Sequence, residues 1–400
     1  AAVPVFRNSA GKQTGHRTLV FHCLFQRRFQ CRQGKKRQGN LQICNRKGLL
    51  NGKGGGLMSI VTIIGAGMMG SAMSFPARDN GHEVRLVGTH LDDEIITCVG
   101  ENGFHPTLRR QLPEGVKAFR TDEVKRAIEG SDLIIGGVSS FGVEWFTDNI
   151  LPLIPDTIPV LSVTKGLQDG PDGSLTTFPH AMKSKLPAGS NLSLNAIGGP
   201  CTSYELADRR NSAVAFCGED PAVLEELKNL LQTSYYHIRI STDVTGVETA
   251  VALKNAYALA VSLAVGLMEK KEGIGCRQAY NPQAALFGQS IREMARILEM
   301  AGGKPDNIAY GAGDLYVTIF GGRTRKLGTL LGRGLSFGEA MAELEGITLE
   351  SVVITRRIAR AMYRRQEAGQ IKMSDFPLLA HIYDIIENNA SVSIPWKDFK

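Results

Sequence analysis

Acidic residues are absent from the first 57 positions, although the chain of 400 residues contains 39 Asp and Glu. The same stretch holds 12 of the 46 Lys and Arg, so residues 58–400 carry 34 basic against 39 acidic side chains. The net charge of +7 therefore belongs to the leader, and the remainder is mildly acidic. That distribution argues against nucleic acid or a membrane surface as the partner of the globular part. Beyond the leader the cysteines are Cys98, Cys201, Cys217 and Cys276, with no CxxC and no His at zinc-like spacing. A disulfide framework and a structural metal are not expected, and reduced thiols point to the cytoplasm. Long apolar runs are lacking too. The longest nearly uncharged stretch, Asn255 to Met268, lies between Lys254 and Glu269-Lys270-Lys271-Glu272 and is shorter than the roughly 20 residues of a membrane span. With 43% hydrophobic and 21% charged residues, the chain reads as about two globular domains.

Residues 1–57 show no periodicity able to build a core and read as a disordered leader. An Arg-rich transit peptide and a nucleic-acid-binding arm are two readings. The favoured one is upstream sequence translated from an early start, because Gly54-Gly55-Gly56-Leu57 stands directly before Met58 and a strand begins at once.

Ser59-Ile60-Val61-Thr62-Ile63-Ile64 is a β-branched run that enters Gly65-Ala66-Gly67-Met68-Met69-Gly70, followed by the helix-compatible Ser71-Ala72-Met73. Strand, glycine turn and helix in that order provide a pyrophosphate site at a helix N-terminus, with Gly65, Gly67, Met68, Met69 and Gly70 as its residues. The next strand, Glu83 to Val87, ends in Gly88-Thr89-His90, and acids arrive only at Asp92 and Asp93. A 2′-phosphate is not obviously repelled there, so the expectation is NAD(P) with a lean to NADP. Strands over Ser131–Ile135, Ile158–Val163 and Asn191–Ile197 each end in glycine or polar residues, among them Thr164-Lys165-Gly166 and Gly198-Gly199-Pro200. Ligands bind beyond such carboxyl ends, which makes Lys165 a candidate cation at the junction of cofactor and substrate; a solvated loop lysine is the alternative.

After strand-like segments at Ala213–Phe216 and His237–Ile240, long helices begin near Thr245. The expected architecture is an α/β Rossmann-type dinucleotide-binding domain over 58–245, then an all-α domain over 246–400 for substrate and dimerisation. On the first long helix Lys254 has Ala250, Val251, Tyr257 and Ala258 as its neighbours three and four residues away. None offers a carboxylate, so this lysine either snorkels to water or serves a site, where burial would lower its pKa towards a proton-exchanging value. Farther on, Gly321-Gly322-Arg323-Thr324-Arg325-Lys326 has the composition of a phosphate cradle or, equally, of a basic turn. Cys201 is expected to pack rather than act.

Taken in order, GAGMMG, TKG, GGP, ALKNAYAL, GAGDLYVT and GGRTRKLG resemble the NAD(P)-dependent glycerol-3-phosphate dehydrogenases, over nearly all of residues 58–400. The resemblance implies reversible reduction of dihydroxyacetone phosphate to sn-glycerol 3-phosphate, feeding glycerophospholipid synthesis, by a cytoplasmic homodimer without a metal. It implies Lys254 as the general acid for the C2 oxygen, with Lys165 and Asp314 as its charged partners. It further implies Asn255, Thr318, Arg323 and Thr324 at the substrate beside Lys165 and Asp314, and Glu345, Lys165 and Arg323 at the cofactor. Three departures stand out: Thr324 replaces an Asn, Met68-Met69 replaces a polar-aromatic pair, and Ser139 replaces a Pro. They leave open a related phosphorylated ketose as the substrate. A β-hydroxyacid dehydrogenase is expected to show Lys-x-x-Asn, whereas Asn255 directly follows Lys254. A cofactor sensor without turnover would not need the Lys165, Lys254 and Asp314 set.

Overall fold

The computed structural model describes residues 58–347 and 349–400; the leader reading for 1–57 falls outside them. Eight strands form one sheet: β1 (Ile60–Ile64), β2 (Glu83–Val87), β3 (Val116–Phe119), β4 (Leu133–Gly136), β5 (Val160–Ser162), β6 (Leu194–Gly198), β7 (Ser212–Cys217) and β8 (Tyr236–Ser241). Their spatial order is β3-β2-β1-β4-β5-β6-β7-β8. All neighbours are parallel except β6 and β7. β1 lies in the middle, covered on both faces, which is why it consists of β-branched residues without a polar alternation. The chain reverses its winding between β1 and β4, and a crevice opens at the carboxyl ends of those two strands. The strands expected at Ser131, Ile158 and Asn191 begin two or three residues later than their sequence runs suggest. The short edge strand β3 gave no alternating signal long enough to announce itself.

From Val244 to Glu272 runs a helix of 29 residues, capped by Asp243, whose carboxylate accepts from the Gly246 amide at 2.9 Å. An 18-residue window of this helix has a mean hydropathy of 1.6, long and apolar enough to cross a membrane, so the span limit drawn from the sequence was too short. The apolarity is used otherwise: 72% of that window is buried inside the protein. Helices Tyr280–Met300, Ile308–Thr318, Gly322–Arg333 and Glu350–Glu367 pack around it. Glu293 ties the bundle together, accepting from the Tyr257 hydroxyl at 3.0 Å and from the Leu378 and Leu379 amides at 2.9 and 3.0 Å, where helix Pro377–Asn388 begins.

Sheet and helices meet through charged clamps. Directly after Lys165-Gly166 comes a two-stranded ribbon, Leu167–Asp169 with Leu175–Thr177. Arg360 and Arg364 of helix Glu350–Glu367 both grip Asp169, at 2.9 and 3.0 Å, and Arg357 donates to the Leu167 carbonyl at 2.9 Å. The loop that carries Lys165 is thus held from the helical side.

Candidate active site

The glycine turn follows from close packing. Gly65 has φ +106°, and a Cβ there would lie 2.7 Å from the Gly137 carbonyl carbon after β4. A Cβ at Gly70 would collide with the Gly65 carbonyl oxygen. Only glycine at both positions lets the helix that starts at Met68 press its first turn against the switch point. Gly67 caps that helix and, with Met68 and Met69, lines a cavity of about 340 Å³. First-turn amides lack intrahelical partners, and a cradle that any side chain at Gly65 or Gly70 would fill fits a dinucleotide pyrophosphate.

The rest of its wall brings together residues far apart in sequence. Val138, Ser139, Thr164 and Lys165 arrive from strand ends, Lys254 and Asn255 from the long helix, and Arg323 from the first turn of helix Gly322–Arg333. The Arg-Thr-Arg-Lys segment is therefore a helix start and not a glycine loop.

Asp314 lies beneath this wall, fully buried. One of its oxygens accepts from Lys254 Nζ at 2.5 Å, and the other accepts from Lys165 Nζ, which also donates to the Gly199 carbonyl at 3.0 Å. Both lysine side chains keep 15% exposure, and both line the cavity. Burial lowers the Lys254 pKa from its ordinary value; Asp314 opposes the fall and Lys165 adds to it. The carboxylate that the lysine's helical neighbours do not supply comes from helix Ile308–Thr318. That helix can approach closely because a Cβ at Gly311 would come within 2.5 Å of the Ala250 carbonyl oxygen. One turn farther along each helix, Asp314 meets Lys254. Substituting Gly311→Ala is expected to push the helices apart and lower kcat by about tenfold or more, with coenzyme affinity retained; steady-state kinetics and coenzyme titration check this.

Other expected site residues lie elsewhere. Thr318 donates its hydroxyl to the Asp314 carbonyl at 2.7 Å, spending it on its own helix. Thr324 is buried within its helix, and Glu345 is exposed on the turn after Ala342; none of the three lines the cavity. Cys201 does line it, and burial pushes its thiol up to about 11, which leaves it inert at neutral pH. Glu350 was not anticipated. It opens helix Glu350–Glu367, reaches the cavity and accepts from the Ser140 hydroxyl at 3.1 Å. Its signal was an acid at a helix start, common enough to pass unnoticed.

At the end of β2 the structure alters the coenzyme argument. Asp92 folds back on the turn, where one oxygen accepts from the Thr89 amide at 2.9 Å, the Thr89 hydroxyl at 2.7 Å and the Ala66 amide at 3.2 Å. A carboxylate thus stands next to the glycine turn although the sequence places it five residues past the strand. Substituting Asp92→Asn is expected to raise the ratio of NADPH to NADH turnover several-fold, measured as kcat/KM for each coenzyme. Among the described residues no group of His, Cys, Asp and Glu is placed to hold a metal ion.

A switch-point crevice facing a buried lysine–carboxylate–lysine cluster defines a nicotinamide-dinucleotide-dependent oxidoreductase of the two-domain, α/β-plus-helical type. The model of the NAD-dependent glycerol-3-phosphate dehydrogenase N-terminus matches residues 60–224, and that of the C-terminus matches residues 243–396. The chain belongs to this family. It is 35% identical to the NADP(+)-dependent glycerol-3-phosphate dehydrogenase of Archaeoglobus fulgidus over 335 residues, which cover 83% of this chain and 96% of the relative. With the NAD(P)+ glycerol-3-phosphate dehydrogenase of Bacillus velezensis it shares 29% over 341 residues, covering 84% and 92%. The solved glycerol-3-phosphate dehydrogenase of Plasmodium falciparum has the same fold, with a TM-score of 0.71 at 21% identity over 86% of this chain and 95% of that one.

Proposed function

We infer that the protein reduces dihydroxyacetone phosphate to sn-glycerol 3-phosphate, reversibly and with NAD(P)H. The observation that carries this reading is the Lys165–Asp314–Lys254 cluster, in one cavity with the glycine turn and Arg323. Gly65, Gly67 and Gly70 would hold the pyrophosphate of a reduced dinucleotide, whose nicotinamide would supply the hydride for C2. Lys254, lowered in pKa by burial, gives its proton to the C2 oxygen, and in the reverse direction takes it back. Asp314 fixes the Lys254 ammonium and keeps Lys165 beside it, so that a second cation polarises the carbonyl. Arg323 and Asn255 bind the substrate at its phosphate end; an anchor remote from C2 supplies binding energy that orients the carbonyl. Thr318, Thr324 and Glu345 enter the site only if coenzyme or substrate draws their segments in. The reading carries with it a cytoplasmic homodimer, which sedimentation of the purified protein tests.

The decisive assay is oxidation of NADPH and NADH with dihydroxyacetone phosphate against unphosphorylated dihydroxyacetone. Turnover with the phosphate ester alone is expected; equal rates with both would refute the phosphate anchor. Arg323→Ala is expected to cost about 2–4 kcal/mol in kcat/KM for the phosphate ester, 30-fold or more.

A further inference from the structure

Glu248 lies on the same long helix, six residues before Lys254 and seven before Asn255. At 3.6 residues per turn it shares a helix stripe with Asn255, two turns deeper in the protein. Its side chain is fully buried, and among the described residues neither carboxyl oxygen has a hydrogen-bond partner. An ionised carboxylate without donors is among the costliest groups to bury; the neutral acid costs far less. The titratable groups that act on it are Lys165, from the loop after β5, and Asp314, from helix Ile308–Thr318. On the sheet side it faces Cys217 of β7, whose thiol burial and Glu248 together push upwards.

We propose that Glu248 is a positioning residue of the reaction site: a buried carboxylic acid that keeps its proton beneath Lys165 and Asp314, leaving Asp314 as the cluster's sole carboxylate. This rests on the reading of Lys254 as proton donor. Two cations then share one anion, and the ammonium of Lys254 is held ready to release its proton. Ionisation would supply Lys165 with a second carboxylate and draw it away from Asp314, and the extra negative charge would retain protons on both lysines. Burial pushes the Glu248 carboxyl up to about 8; Lys165 pulls it back and Asp314 adds to the rise. The switch between the two forms therefore falls just above neutrality.

Glu248→Gln keeps the shape and removes the ionisation. Ketone reduction needs protonated Lys254, and in the wild type the Glu248 charge that appears at alkaline pH helps retain that proton. In the variant the alkaline limb of kcat/KM is expected to move to lower pH by on the order of half a unit, the effect of a unit charge roughly 10 Å away. A limb that stays in place in a folded variant, with kcat altered equally at every pH, would mean a merely structural residue and overturn the proposal. Two measurements do not depend on turnover. A protonated-carboxyl stretch that the variant lacks is expected in the wild-type infrared spectrum at pH 7, over any band from Glu293, whose carboxyl burial also raises; the absence of such a difference overturns the proposal as well. The folded acid holds its proton where the unfolded one has lost it, so its contribution to stability is full below the unfolded pKa and declines up to the folded value. Between pH 5 and 8 the wild-type Tm is therefore expected to fall more steeply than that of Glu248→Gln, and parallel slopes would count against the held proton. If Lys254→Ala retained turnover, the kinetic reading would fail while the infrared and thermal results still decided the state of Glu248.

Discussion

Lys254→Ala is expected to lower kcat for ketone reduction by about 10²–10⁴-fold, the usual worth of a positioned general acid, while coenzyme affinity stays near wild type. The separation follows from position. The glycine turn proposed for the pyrophosphate joins β1 to its helix, whereas Lys254 stands on the long helix. Asp314 keeps Lys165 as a partner in the variant, so no buried carboxylate is left alone. Steady-state turnover together with fluorescence titration of NADPH checks both halves, and undiminished turnover would remove Lys254 from the mechanism. The wild-type pH dependence has a definite sign. With Lys254 as the proposed proton donor, reduction is expected to decline as pH rises through a pKa below that of a free lysine, and oxidation of the alcohol to rise over the same range.

Asp314→Asn is expected to affect both stability and rate. The carboxylate is fully buried and shared by two ammoniums, and removing one partner of such an assembly typically costs about 3–5 kcal/mol because charge is left uncompensated. A Tm lower by several degrees at pH 7 is expected. Without Asp314 the Lys254 pKa falls further, since its attraction opposed the effect of burial. The unfolded chain then binds more protons than the folded one across the neutral-to-alkaline range, so stability rises with pH. The deficit in Tm against wild type should therefore narrow between pH 7 and 9, which calorimetry at both values measures. A constant deficit would point to packing as the cause. kcat should drop with it, and the alkaline limb should move to lower pH.

The glycine turn was legible because its chemistry is local: the strand, the three glycines and the helix are contiguous, and Gly67, Met68 and Met69 of the turn line the cavity. Lys254 stood out for a local reason as well, being a cation on an apolar helix without a carboxylate in reach. Arg323 was visible as composition, but its setting was misread, since glycines at 321 and 322 precede a helix as readily as they form a loop. Glu350 and Asp92 escaped because their roles depend on where a chain segment returns. Glu248 was in plain view beside Lys254, yet the three- and four-residue rule looks along one face of the helix and Glu248 belongs to another.

What the sequence determined by itself is whatever depends on short-range sterics and periodicity: the β-branched strands, the glycine turn, the passage from sheet to helices after Ser241 and the apolar helix that forms the second core. Tertiary structure decided the charges. Sixty residues separate Lys254 from Asp314, and 149 separate Lys165 from it, so no spacing rule joins them. They meet because Gly311 lets one helix lie against the Ala250 carbonyl and because three arginines of a distant helix hold the ribbon behind Lys165. Proton affinity depends on solvent exclusion and on the nearest charges, and both exist only once those surfaces have closed.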